Sequence, residues 1–209
     1  MKDLYRILEK LRRMHGEPRC ELKFSNPLEL TVATVLSAQC TDERVNMVTE
    51  KLFKKYRSLE DYIKIPIEEL EEDIKPTGFY RNKAKSLKSI AEEIRDRFSG
   101  KIPDDIELLS QVKGIGRKSA NMIVGCAYGK PAVIVDTHFG RVARRIGLTE
   151  LEDPEKIEKE IKEKFPEGSW LPLSLLLILH GRYVCKARKP DCKKCELKEE
   201  CKFYSKGEL

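Results

Sequence analysis

Apolar residues recur at three- and four-residue intervals through most of this 209-residue chain, the pattern of helices that bury one face. Val32, Val35 and Leu36 share a face within Leu28–Gln39, and Asn26 followed by Pro27 gives that segment a cap and a first-turn proline. Thr41 is placed to cap a second helix whose stripe is Val45, Val48, Leu52 and Phe53. Further helical signals begin at Ser58 and near Pro66. Leu87, Ile90, Ile94 and Phe98 keep helical spacing through Phe79–Phe98. Asp104 or Asp105 can cap the next helix, and Glu155–Lys164 and Trp170–Tyr183 complete the set. No convincing pair of alternating strand patterns competes, and the apolar run Ala132–Val135 is too short and isolated to make a sheet. The expected fold class is all-α. Leu171–Leu179 is the most apolar run, yet it contains Pro172 and Ser174 and is far shorter than the ~20 residues that span a bilayer. It reads as a buried core helix, and no membrane association is expected.

One interruption of the helical pattern carries candidate chemistry. Gly114 and Gly116 flank Ile115, which suits a tight helix–hairpin–helix turn because glycine takes positive φ and lets another backbone come close. A helix starting near Gly116 presents free amide hydrogens and its positive end to a phosphate, with Arg117 adding charge beside it. Lys118 then falls in the first turn, where the helix dipole disfavours a cation. The same positive end and Arg117 favour loss of its proton, which turns the amine into a nucleophile. Asp136 follows Ala132–Val135, where a carboxylate can be held partly dry. Each residue also has a plainer reading. Asp136 alone makes a good helix N-cap, and a lone lysine is more often a solvated phosphate contact.

The cysteines add a second centre. Cys185, Cys192, Cys195 and Cys201 are spaced C-x6-C-x2-C-x5-C. Four thiolates complete either a tetrahedral zinc site or a [4Fe–4S] cluster. Zinc ribbons usually present two Cys-x-x-Cys pairs and this run has one, which favours iron–sulfur while leaving zinc open. A disulfide framework is disfavoured, because no signal-peptide pattern is seen and a chain of this length buries a core without staples. Cys20, Cys40 and Cys126 read as small buried apolar residues. Cys185–Leu209 holds eight basic and five acidic residues, and Lys186, Arg188 and Lys189 between the first two cysteines can reach phosphate. The whole chain has a net charge of +6 and a pI near 8.8, which fits a polyanion partner without deciding for one. Its length allows one large or two small domains.

Read in order, the motifs resemble the endonuclease III family of base-excision DNA glycosylases. They are Leu36-Ser37-Ala38-Gln39 with Thr41-Asp42, Gly78-Phe79-Tyr80 with Lys83-Ala84, the hairpin block with Val135-Asp136-Thr137-His138, Leu179-His180-Gly181-Arg182, and the cysteine run. The resemblance covers almost the whole chain. It implies two helical domains with DNA in a cleft between them. A six-helix domain spans 22–130 and contains the helix–hairpin–helix at about 105–128. Residues 1–21 join 131–209 in a second domain with a [4Fe–4S] cluster loop at 185–201.

By the same resemblance Lys118 is the nucleophile, Asp136 the catalytic carboxylate, and the four cysteines hold one cluster. A damaged nucleotide must leave the stack before its C1′ can be attacked. Gln39 is then expected to face the orphaned base, and Phe79 to wedge between base pairs. Gly114, Gly116, Arg117, Arg141, Lys186, Arg188 and Lys189 are the remaining expected DNA contacts, although Arg141 suits a structural ion pair equally well. His138 reads as structural. Cys40 and Phe79 depart from the family's usual small and aliphatic residues.

The expected activity is that of a bifunctional DNA glycosylase and abasic-site lyase acting on oxidised pyrimidines and cutting 3′ to the sugar by β-elimination. The expected partner is double-stranded DNA with a damaged base or abasic site, met by a cytoplasmic monomer. The nearest alternative is a mismatch-directed thymine, uracil or adenine glycosylase, against which Lys118 counts. From other classes come a non-catalytic DNA-binding module, which needs neither Lys118 nor Asp136, and an iron–sulfur electron carrier, which needs no hairpin.

Overall fold

The computed structural model describes residues 4–207, and among them there is no β-strand. Twelve α-helices are seen in this stretch: α1 (Leu4–His15), α2 (Pro27–Leu36), α3 (Asp42–Lys55), α4 (Leu59–Lys64), α5 (Ile67–Ile74), α6 (Tyr80–Phe98), α7 (Ile106–Ser110), α8 (Arg117–Tyr128), α9 (Thr137–Ile146), α10 (Pro154–Lys164), α11 (Trp170–Tyr183) and α12 (Lys202–Ser205). No helix among the described residues is long and apolar enough to cross a membrane. Residues 20–130 form one compact unit, and the chain on either side of them forms the other.

The first unit holds α2 to α8, seven helices where six were expected, the five-residue α7 included. Its core is built from Leu30, Leu36, Leu70, Ile74, Ile94 and Leu109, all fully buried. Helix starts follow local chemistry. The Asn26 side chain accepts from the Glu29 amide at 2.9 Å with Pro27 in the first turn, and Asp105 accepts from the Leu108 amide at 2.9 Å. Ser58 and Asp61 close a reciprocal capping box on α4. Helix ends depend more on tertiary partners. The Lys88 ammonium, reaching out from α6, donates to the carbonyls of Ile63 and Ile65, each at 2.6 Å, and so closes the end of α4. Helix α2 stops at Leu36, short of the expected Gln39, because Gln39 has a φ of 53° and leaves the helix.

In the second unit α11 packs against both α1 and α9. Every residue from Leu173 to Gly181 is buried, so α11 is apolar nearly all round, as its composition suggested. Pro172 is tolerated because it lies in the first turn. Gly181 is a close-approach glycine: a Cβ there would lie 2.8 Å from the His138 Cβ of α9. Ala132–Val135 is buried without regular secondary structure, and the Ile134 amide donates to the Ser174 hydroxyl at 3.0 Å, so a side chain of α11 satisfies it.

Candidate functional site

In the first unit the hairpin between α7 and α8 is anchored by Ile115, which is buried and whose amide donates to the Val112 carbonyl at 2.9 Å. Gly114 has a φ of +100°, which is what calls for glycine here, since a Cβ would make no more than van der Waals contact with the Ile90 side chain at 3.4 Å. Gly116 corrects the expectation. Its φ of −81° and ψ of 169° suit any residue, and a Cβ there would meet nothing within 4 Å. It serves as the N-cap of α8 and, being glycine, supplies no side-chain cap bond to the first amides of the helix. Lys118, the second residue of α8, is exposed. Arg117 forms an ion pair with Glu107 of α7 at 2.6 Å, tying the two arms of the hairpin together.

Two exposed side chains on the same unit sit on strained backbone. Gln39 and Phe79 both adopt left-handed φ, 53° and 49°, a region that residues other than glycine seldom occupy. Phe79 is 62% exposed despite being a large apolar residue. Gly78 before it has a φ of 70° and ψ of 160°, a combination reserved for glycine. Lys83, the lysine of the Gly78-Phe79-Tyr80 motif, is buried and donates to the carbonyls of Leu36 and Thr77, each at 2.8 Å. Desolvation holds its pKa below the usual lysine range.

In the second unit Asp136 is the N-cap of α9, its Oδ1 accepting from the Phe139 amide at 2.7 Å. The carboxylate is half-buried and oriented by the helix it caps. Arg141 turns inward. Its guanidinium donates to the carbonyls of Gly181 at 2.8 Å and Cys185 at 3.1 Å and meets His138 Nδ1 at 3.2 Å. These partners are two carbonyls and a ring nitrogen where an ion pair was expected, and they leave Arg141 half-buried and not among the exposed cations.

All four C-terminal cysteines line one pocket, with Ile146, His180 and Phe203 among the other walls. Arg145, which the sequence pattern did not single out for this centre, organises the mouth of the loop. Its guanidinium lies 3.3 Å from Cys185 Sγ, donates to the carbonyls of Lys186 at 2.7 Å and Ala187 at 3.1 Å, and stacks on Phe203 at 4.3 Å. Cys195 Sγ is 3.5 Å from His180 Nε2, and His180 Nδ1 is 2.9 Å from His15 Nε2. Burial, with His15 adding to it, pushes the His180 pKa down to about 4, so the ring is neutral. Burial and the neighbouring sulfurs raise Cys195 to about 11, although the Leu197 amide acts the other way. No three His, Cys, Asp or Glu among the described residues converge as they would on a single metal ion. Lys186, Arg188 and Lys189 are all exposed.

Comparison with known proteins places this geometry. Residues 32–167 match the model of the HhH-GPD superfamily base excision DNA repair proteins. Endonuclease III of Bacillus subtilis (strain 168) is 44% identical over 203 residues, 97% of this chain and 93% of its own. A trapped endonuclease III–DNA covalent intermediate, in an estranged-adenine complex, superposes with a TM-score of 0.92 at 40% identity and covers both chains in full. A non-covalent endonuclease III–DNA complex gives the same TM-score at 41% identity, over 98% of this chain and 96% of that one.

Proposed function

The chain belongs to the endonuclease III family of HhH-GPD base excision DNA repair proteins, and on that premise we propose which of its residues carry the reaction. It is a DNA glycosylase with abasic-site lyase activity, and DNA is its partner. Lys118 is the nucleophile. Its nitrogen attacks C1′ of the deoxyribose of an oxidised pyrimidine nucleotide, and the base departs with the electrons of the glycosidic bond and takes up a proton. Loss of the amine proton and opening of the sugar ring leave a Schiff base. A proton is then removed from C2′ and the C3′–O bond breaks, which cuts the strand on the 3′ side. Asp136, fixed by the amide it caps, stabilises the positive charge that develops on the sugar. The observation that carries the reading is an exposed lysine in the first turn of a helix with no side-chain cap, directly after a Gly-Ile-Gly hairpin. Similarity over the full chain to a covalent protein–DNA intermediate supports it.

In the same reading the hairpin amides grip backbone phosphate, while Gln39 and Phe79 enter the duplex where the damaged base has left. Cys185, Cys192, Cys195 and Cys201 hold one [4Fe–4S] cluster. Thiolates around a single zinc ion lie about 3.8 Å apart given the Zn–S bond length, whereas a four-iron cubane spreads its ligands more widely. The four thiols line one pocket, which fits a four-cysteine centre, and membership of the endonuclease III family supports the cluster. When bound, the cluster supplies a fourfold cross-link that orders the basic loop 185–201.

The test is borohydride trapping on a duplex with one abasic site. Wild-type protein is expected to become covalently attached to DNA, and Lys118→Ala to bind the same duplex but not be trapped. Trapping of the alanine variant at the wild-type rate would remove Lys118 from this role.

A further inference from the structure

We propose that Lys83 is a positioning residue that holds the turns of Gln39 and Phe79 at a fixed separation, so that the two side chains enter one lesion together. The inference rests on the reading that Gln39 and Phe79 insert into the duplex. Lys83 sits on the core face of α6 beside Ala84 and Leu87, where packing alone asks only for an aliphatic side chain. A buried cation there costs solvation free energy that a methionine would not lose. The ammonium is satisfied by two carbonyls far apart in sequence, Leu36 and Thr77, each at 2.8 Å. Leu36 is the last residue of α2 and stands three residues before Gln39. Thr77 closes the 3₁₀ turn two residues before Phe79. One group therefore ends two elements, and within three residues of each end stands an exposed residue in the left-handed region. Strained backbone persists only where its surroundings over-determine it, and Lys83 is the atom-level link common to both strained turns. Its effect on DNA is exerted through those backbones, since the amine itself is buried.

The experiment is a mutant cycle in the full-length protein. Affinity is measured for a duplex with one tetrahydrofuran abasic analogue and for the intact duplex. Lys83→Met is expected to lower the preference for the abasic duplex by about tenfold while leaving intact-duplex affinity within about twofold. In the Gln39→Ala/Phe79→Ala background, Lys83→Met is expected to change nothing further. A purely structural lysine would weaken both duplexes alike, and equal loss in both backgrounds overturns the proposal. So does an unchanged preference in Lys83→Met when Gln39→Ala/Phe79→Ala has lost it. If Gln39→Ala/Phe79→Ala keeps the full preference, the insertion reading itself has failed and the proposal falls with it. Should Lys83→Met not fold by thermal melting, Lys83→Arg carries the cycle, because it keeps the charge but not the compact head that meets both carbonyls. A wild-type preference in Lys83→Arg then shows a lysine needed for folding alone and overturns the positioning role.

Discussion

Asp136 caps α9 and is also the carboxylate proposed for the chemistry, and the two roles would draw on different properties. Capping α9 requires an acceptor oxygen, whereas stabilising a sugar cation requires a negative charge. Asparagine keeps the acceptor and loses the charge. Asp136→Asn is therefore expected to melt within a few degrees of wild type, because asparagine caps as well as aspartate, while single-turnover base excision falls by about 10² or more. Parallel melting and excision measurements separate the two, and an unchanged excision rate would leave Asp136 as a cap only. Both properties were legible at Asp136, because an N-cap and a carboxylate after an apolar run are local signals. The role of Lys83 was not legible, since lysine in a helix reads as a solvated cation and its partners lie 47 and six residues away. Arg141 shows the same limit: its carbonyl partners on Gly181 and Cys185 are chosen by the fold, and no local pattern announces them.

At the level of elements, starts were easier to read than ends. Caps at Asn26, Thr41, Ser58 and Asp105 are written in the residues themselves, and each makes its cap bond. The end of α2 and the start of α6 are set by left-handed φ at Gln39 and Phe79, residue types that carry no such preference. Only Gly78 hinted at the second. The hairpin offers a sharper test, because its two glycines do different work. Gly114→Ala places a Cβ on positive φ against Ile90 and is expected to destabilise the protein by about 1–2 kcal/mol. Gly116→Ser meets no steric obstacle, and its hydroxyl can cap α8, so stability is expected to hold or rise by a few tenths of a kcal/mol. The same hydroxyl occupies an amide that a phosphate would take. Affinity for damaged and undamaged duplexes is expected to fall together, because phosphate contacts carry no sequence information. Calorimetric melting with paired titrations checks this, and a loss confined to one lesion would move the hairpin from the backbone to the base pocket.

For the whole molecule, the cysteine spacing marked out four residues that the fold brings to one pocket, whereas the groups that shape that pocket were hidden by distance along the chain. Arg145 reaches loop carbonyls more than 40 residues on, and His15 reaches His180 across 165. In this loop Lys186, Arg188 and Lys189 are left exposed, while the guanidiniums of Arg141 and Arg145 are held by backbone carbonyls. Cations of the two kinds respond differently to substitution. Replacing Lys186, Arg188 and Lys189 together by alanine removes exposed charge and no internal bond made by their side chains, so four irons per chain and the melting temperature are expected to persist. If each meets one phosphate, the slope of log affinity against log salt should flatten by roughly 2.7, at about 0.9 per contact. Arg145→Ala is expected to do the opposite, loosening the loop at Cys185 and lowering iron content before any change in salt dependence appears. Iron and sulfide analysis of anaerobically prepared protein, alongside titrations at several salt concentrations, distinguishes them. Zinc in place of iron and sulfide would overturn the cluster assignment, and an unchanged slope in the triple variant would place the phosphate contacts elsewhere on the surface.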